Sequence, residues 1–305
     1  MIETPKWLGD FLMASPSIEN LRLSFPDANF YFLASGSAAE LLAKNNFACN
    51  VFAIEKGFKG FLSQTREMPY FNYVVSFRNT LRSNFYLLFI RAKKKFIYKK
   101  EKYKSLHQVQ KYNEFINQSF SLKTSPGPLL INQIIDKRHF LNKTIGINPG
   151  STYGSAKRWR VEGFIQVAIK LSSEFNIVII GGKNEVDVAK KIELGLKNAQ
   201  INNFKNLCGK TTLSELIGAI DGMSVLITGD SGPMHIAAAL KIPTVSIFGP
   251  TNHLETCQWG NIQSVIIKKE MNCQPCMKRV CPLGHHDCME KISSKEVIES
   301  ALNLI

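Results

Sequence analysis

The chain has 305 residues, 45% of them hydrophobic, and a formal net charge of +14. That length supports two cores of ordinary size, since domains cluster near roughly 100 to 150 residues. No basic leader precedes a long apolar run, and no stretch of about 18 apolar residues occurs, which argues against a signal peptide and a spanning helix. A cytoplasmic protein is expected, and so large a positive excess favours an acidic partner: nucleic acid, an anionic membrane surface or a phosphorylated substrate.

In chain order, helical periodicity appears first over residues 13–25, followed by β-rich runs at 29–34, 50–54, 73–77 and 95–99 and a second helical stretch at 106–118. Pro, Gly and polar residues then cluster over 123–143, where a domain junction is expected, dividing the chain into 1–140 and 141–305. Beyond it, five apolar runs start at Thr144, Asn176, Val225, Thr244 and Ser264, most of them closing on Gly, Asp or Pro. Runs that are apolar on both faces suit buried parallel strands. Helices are expected near 161–173, 184–197, 213–220 and 233–240, so the pattern is two successive β/α layers.

In open parallel sheets ligands bind beyond the carboxyl ends of the strands. Four of those ends carry unusual loops: "NPGSTYGSAKRW" (148–159), "GGKNE" (181–185), "GDSGPMH" (229–235) and "FGPTN" (248–252). Small residues let backbone N–H groups approach an anion, helix N-termini add partial positive charge, and Lys157 offers a full charge for a diphosphate. Each loop taken singly also reads as a plain turn. Near the N-terminus, "WLGDFLMASPS" places Asp10 at the start of a helix, where it suits either a general base or a helix cap.

The strings "PKWLGD" (5–10), "PGSTYGSAKRW", "GGKNE", "GDSGPMHIAAAL" and "FGPTN", in this order over most of the chain, resemble the family 9 glycosyltransferases, the ADP-heptose:lipopolysaccharide heptosyltransferases, most of all the heptosyltransferase II group. The resemblance implies a GT-B fold of two facing Rossmann-like domains about a cleft, the first for the acceptor and the second for the sugar nucleotide. It implies inverting transfer of heptose from ADP-heptose to an inner-core heptose of lipopolysaccharide at the inner membrane face, with no cofactor and no nucleic acid. Carried over by position, Lys157 neutralises the donor diphosphate and Asp10 is the catalytic base. Ser151 and Thr152 line the phosphate loop, Glu185 takes the ribose hydroxyls, and Thr211 belongs to the adenine loop. Asp230, Ser231, Gly232 and His235 form the Asp-Ser-Gly-x-x-His motif beside the phosphates. No Asp-x-Asp occurs, so the usual sequence sign of a metal–diphosphate site is missing, and fixed cations with N–H dipoles suit the leaving group instead.

Two features depart from that pattern. Only Met1 to Thr4 precede Pro5, so the central strand of the first domain is expected to be short or missing, with the true start upstream or a truncated strand tolerated. The segment 273–289 adds Cys273, Cys276, Cys281 and Cys288 with His285 and His286, which suits packed thiols, a structural zinc site or, least of all in a reducing compartment, a disulfide. Finally, residues 91–104 carry eight Lys or Arg among aromatics, with Arg78 and Arg82 shortly before. Arg78, Arg82, Lys93, Lys94 and Lys95 are candidates for docking the anionic acceptor. A solvated edge strand is the other account; nucleic-acid binding is a third, but no recognised motif supports it.

Overall fold

The computed structural model describes all residues except 44–47, 55–57, 132–139, 141 and 152. The chain forms two compact units, Met1–Ile134 and Ile135–Ile305. The expected junction between residues 140 and 141 falls on an undescribed position.

The first unit runs β1 (Ile2–Glu3), α1 (Leu8–Ser24), β2 (Phe30–Ala34), α2 (Ser37–Leu42), β3 (Ala48–Ala53), α3 (Phe58–Glu67), β4 (Phe71–Ser76), α4 (Leu81–Phe89), β5 (Ala92–Ile97) and α5 (Gln108–Phe120). Its strands make a parallel sheet in the order β3-β2-β1-β4-β5. The central strand is present but only two residues long, pairing Ile2 with Phe32 on one side and with Val75 on the other. Helix α1 begins five residues earlier than its periodicity suggests, and it contains Pro16. Proline lacks an N–H, so the carbonyl of Leu12 loses its helical donor. The Ser15 hydroxyl donates to that carbonyl at 2.7 Å and accepts from the Leu130 amide at 2.8 Å. Leu33, Phe61, Phe71, Val74, Tyr86 and Ile90 belong to one buried cluster of this unit.

The second unit runs β6 (Thr144–Asn148), α6 (Val161–Leu171), β7 (Asn176–Ile179), α7 (Val186–Asn198), β8 (Phe204–Asn206), α8 (Leu213–Asp221), β9 (Val225–Gly229), α9 (Gly232–Leu240), β10 (Thr244–Phe248), α10 (His253–Thr256), β11 (Ser264–Lys268), α11 (Asp287–Glu290) and α12 (Ser294–Leu302). Its parallel sheet is ordered β11-β10-β9-β6-β7-β8. Every residue of β6, β9 and β10 is buried, as continuous apolar runs require. The chain starts at β6, builds β7 and β8 on one side, then returns to build β9, β10 and β11 on the other. The switch point therefore lies between β6 and β9, where Asn148 pairs with Thr228. Among the described residues no helix is long and apolar enough to cross a membrane.

Candidate active site

All strands of the second sheet are parallel, so the loops after β6, β7, β9 and β10 leave from one edge, and these four strands are neighbours. At the switch point, Asn148 donates through Nδ2 to Thr228 Oγ1 at 2.8 Å and to Ser231 Oγ at 2.7 Å. Ser231 is the N-cap of α9, but its side chain makes no capping bond to that helix. Its hydroxyl is engaged by Asn148; Pro233 has no N–H and the Met234 amide donates to Ser231 O at 3.2 Å, so this end suits an anion through the Gly232 amide and the helix dipole.

Lys157 closes a short 3-10 turn and is paired with Asp230, its Nζ standing 2.5 Å from Oδ2. The Thr251 hydroxyl donates to the same carboxylate oxygen at 2.7 Å. The two charged side chains are only 12% and 7% exposed. A pair this buried is stable only when further hydrogen bonds complete it, which Thr251 supplies. The Tyr153 ring lies 4.6 Å from Nζ and 5.5 Å from the Arg279 guanidinium, so two cations flank one aromatic face of the loop. Ser151 is buried in the same loop, and Thr152 lies outside the described residues.

Glu185 is also buried, and its Oε2 accepts from the Gly182 amide at 2.7 Å. Its Oε1 has no hydrogen-bond partner among the described residues, leaving one buried acceptor open. The side chain lies against Gly150, where an added Cβ would stand 1.8 Å from Glu185 Cγ, so glycine is required there by contact. The loop bearing Thr211 reaches this site through Gly209, whose amide donates to Gly181 O at 2.9 Å. Thr211 itself is half-buried, next to Thr212, which caps α8 in a reciprocal box with Glu215. Cys208 packs below, its thiol pushed up to about 11 by burial and then by the Glu185 carboxylate. Gly232 opens α9 and His235 is buried one turn into it.

The cysteine segment forms a wall of the loop after β6. His286 Nε2 lies 2.8 Å from Ala156 O, the Ala156 amide donates to Arg279 O at 3.0 Å, and the Tyr153 hydroxyl donates to Met277 O at 2.7 Å. Gln274 Nε2 donates to Gly249 O at 2.6 Å and the Met277 amide to Pro250 O at 2.9 Å, which ties the same segment to the loop after β10. Cys273, Cys276, Cys281 and Cys288 are free thiols lining one small cavity with His285 and His286. Among the described residues no group of three His, Cys, Asp or Glu side chains is arranged to hold a metal ion. Backbone N–H groups, that of His286 foremost, hold the Cys281 thiol below its usual range, while burial pushes Cys288 up to about 11.

In the first unit Asp10 occupies the third position of α1 and the N-cap position belongs to Trp7, so Asp10 is not the N-cap residue; a carboxylate in a first turn is nonetheless favoured by the helix dipole. It is half-buried and close enough to Tyr98 and Tyr112 to act on both. Burial pushes the Tyr98 phenol up to about 12 and Tyr112 well above its ordinary value, with Asp10 adding to each, so both stay neutral at physiological pH. The five basic candidates do not form one patch. Arg78 is drawn into the scaffold, donating to Thr4 O at 2.6 Å and Ser35 Oγ at 3.1 Å, 4.0 Å from Glu3. Glu3 is buried and accepts from the hydroxyls of Ser76 and Ser83. Lys94 lies over Phe96, on the face of edge strand β5 that meets Phe120 of α5. By strand alternation Lys93 and Lys95 occupy the other face, where Lys95 Nζ donates to Leu87 O of α4 at 2.6 Å. Arg82 is exposed on α4, its guanidinium over Tyr86.

Asn148, Tyr153, Thr251, Arg279 and Glu3 were not among the expected site residues. Asn148, Tyr153 and Thr251 lie in loops whose composition stood out, whereas Arg279 and Glu3 carry no local sign.

Two parallel α/β domains, the second with its Gly- and Ser-bearing loops gathered at a switch point, are those of the GT-B fold. Solved structures share that architecture: the chain superposes on the Escherichia coli ADP-heptose lipopolysaccharide heptosyltransferase II with a TM-score of 0.79 at 23% identity, covering 99% of this chain and 97% of that one. It also superposes on an E. coli heptosyltransferase solved with ADP, with a TM-score of 0.77 at 14% identity, covering 100% and 99%. The glycosyltransferase family 9 (heptosyltransferase) model matches residues 71–286, and the chain belongs to that family. It is 37% identical to lipooligosaccharide heptosyltransferase 2 of Campylobacter jejuni subsp. jejuni serotype O:2, an alignment covering 100% of this chain and 97% of the relative.

Proposed function

We propose that the protein transfers heptose from ADP-heptose, with inversion, to an inner-core heptose of lipopolysaccharide or lipooligosaccharide at the inner face of the inner membrane. The observation that carries this reading is the Lys157–Asp230 pair beside the side-chain-uncapped N-terminus of α9, in a chain that aligns over its whole length with a lipooligosaccharide heptosyltransferase.

Departure of ADP leaves growing negative charge on the diphosphate, and preorganised cations and N–H dipoles stabilise it. Lys157 is that cation. In the unliganded site Asp230 balances it, and an arriving diphosphate competes with Asp230 for Nζ. The α9 N-terminus supplies dipoles, with Ser231 held clear by Asn148. Glu185 retains one open buried acceptor for a ribose hydroxyl, and Thr211, with the 151–152 loop, completes the nucleotide contacts. In this reading the first unit binds the acceptor, and Asp10 takes the proton from its attacking hydroxyl, beside phenols that stay neutral. The absence of Asp-x-Asp from the sequence fits charge stabilisation by Lys157 and backbone dipoles, with no cofactor required.

The test is to incubate the protein with ADP-heptose and lipopolysaccharide truncated at the first inner-core heptose, then weigh the product. A gain of one heptose is expected. No transfer from ADP-heptose together with transfer from another nucleotide sugar overturns the donor assignment.

A further inference from the structure

Helix α4 is apolar on the side that faces outward. Ser83, Tyr86 and Leu87 are buried beneath it, while Leu81, Phe85, Leu88 and Phe89 are exposed, Leu81 at 92% and Leu88 at 73%. These positions follow the i, i+4, i+7, i+8 spacing of one helix face, so the four side chains form a continuous ridge. A contiguous apolar ridge left in water marks an interaction surface. Its surroundings carry one sign of charge. Residues 68–100 contain no Asp or Glu and eight Lys or Arg. Arg82 lies on the helix, Arg91 follows its end, and Lys93 and Lys95 stand on the face of β5 that meets α4.

We propose that α4 is a lipid-docking ridge: Leu81, Phe85, Leu88 and Phe89 enter the apolar boundary of an anionic phospholipid bilayer while Arg82, Arg91 and Lys93 meet its headgroups. Apolar insertion combined with electrostatic attraction is how interfacial helices hold a membrane. The charge argues for this occupant over a second copy of the chain, because a symmetric pairing of two ridges brings two positive rims together. The inference rests on the reading of the acceptor as a membrane glycolipid, and it gives the enzyme a surface for the bilayer itself.

Flotation of the full-length protein with phosphatidylglycerol-containing vesicles, against pure phosphatidylcholine vesicles, tests it. The parent is expected to float with the anionic vesicles alone. The Leu81→Gln/Leu88→Gln variant, altered only at the two most exposed positions, is expected to lose about tenfold or more in partitioning, while retaining its melting temperature, its affinity for ADP and its transfer to a delipidated core oligosaccharide. Undiminished flotation of the variant overturns the proposal, as does equal flotation of the parent with neutral vesicles. A parent dimer that becomes monomeric in the variant overturns it too, in favour of self-association. Failure of transfer to the delipidated acceptor by parent and variant alike, with vesicle binding intact, refutes the functional reading and leaves the ridge standing.

Discussion

Replacing Lys157 by Ala removes the cation paired with Asp230. The carboxylate, 7% exposed, keeps the Thr251 hydroxyl but loses its cation. Deleting one member of a buried pair costs about 3 to 5 kcal/mol. Thr251 and residual exposure put this case at the lower end, and about 3 kcal/mol corresponds to a fall of roughly 6 to 12 °C in melting temperature for a domain of this size. The same change removes about 2 to 4 kcal/mol of transition-state stabilisation, a loss of about 30- to 900-fold in turnover. The two effects separate in Lys157→Ala/Asp230→Asn, which no longer buries an uncompensated carboxylate and still accepts from Thr251. Melting temperature is expected to return most of the way, while turnover stays low. Calorimetry and single-turnover transfer measure the two. Recovery of turnover in the double variant refutes the reasoning, because Lys157 would then be only a counter-ion for Asp230.

Asp10→Asn is expected to cost about 100- to 10,000-fold in turnover with ADP affinity and melting temperature preserved; activity close to the parent's would send the search for the base elsewhere. Gly150→Ala drives a Cβ into Glu185, breaking its bond to the Gly182 amide. Glu185 displaced from its place can no longer accept from the ribose, and loss of one charge-assisted bond to the ligand predicts about 10- to 100-fold weaker ADP binding by titration calorimetry; unchanged affinity would contradict a nucleotide role for Glu185. ADP is expected to bind more tightly than UDP and transfer to survive EDTA; equal affinities or metal-dependent turnover would contradict the donor assignment. Within the cysteine segment, Cys281 is expected to alkylate first at neutral pH and Cys288 last, since backbone N–H groups favour the Cys281 thiolate and burial opposes that of Cys288. Peptide mapping after limiting iodoacetamide reads the order, and early labelling of Cys288 would contradict it.

The second unit was legible in the sequence because its strands are buried on both faces, and an unbroken apolar run survives reading without a partner. The first unit was less so. Two residues cannot display a period, so Ile2–Glu3 showed nothing of the strand at the centre of the sheet. Helix α4 was missed because it is apolar both where it packs and where it does not, which erases the amphipathic signal. The loops around the candidate site were legible as motifs of small residues. The pairing of Lys157 with Asp230 was not, since 73 residues separate them and only the switch between β6 and β9 brings them together. Segment 273–289 was read for its sulfur chemistry, whereas what joins it to the loop after β6 is hydrogen bonding onto backbone carbonyls, which composition does not reveal.

That junction bears on the order in which the molecule is made. The 149–159 loop follows the first strand of its domain, yet Ala156 meets His286, 130 residues later, and Tyr153 meets Met277, 124 residues later. Contacts so distant in sequence close late, after loop-closure entropy has been met by the intervening sheet. On the ribosome, strands β6 to β10 emerge and pair while the loop still lacks its outer wall. Met289, Ile292, Val297 and Ala301 belong to the buried core of the same domain, so the nascent chain completes both that core and the outer wall of this loop only with the last few dozen residues of synthesis.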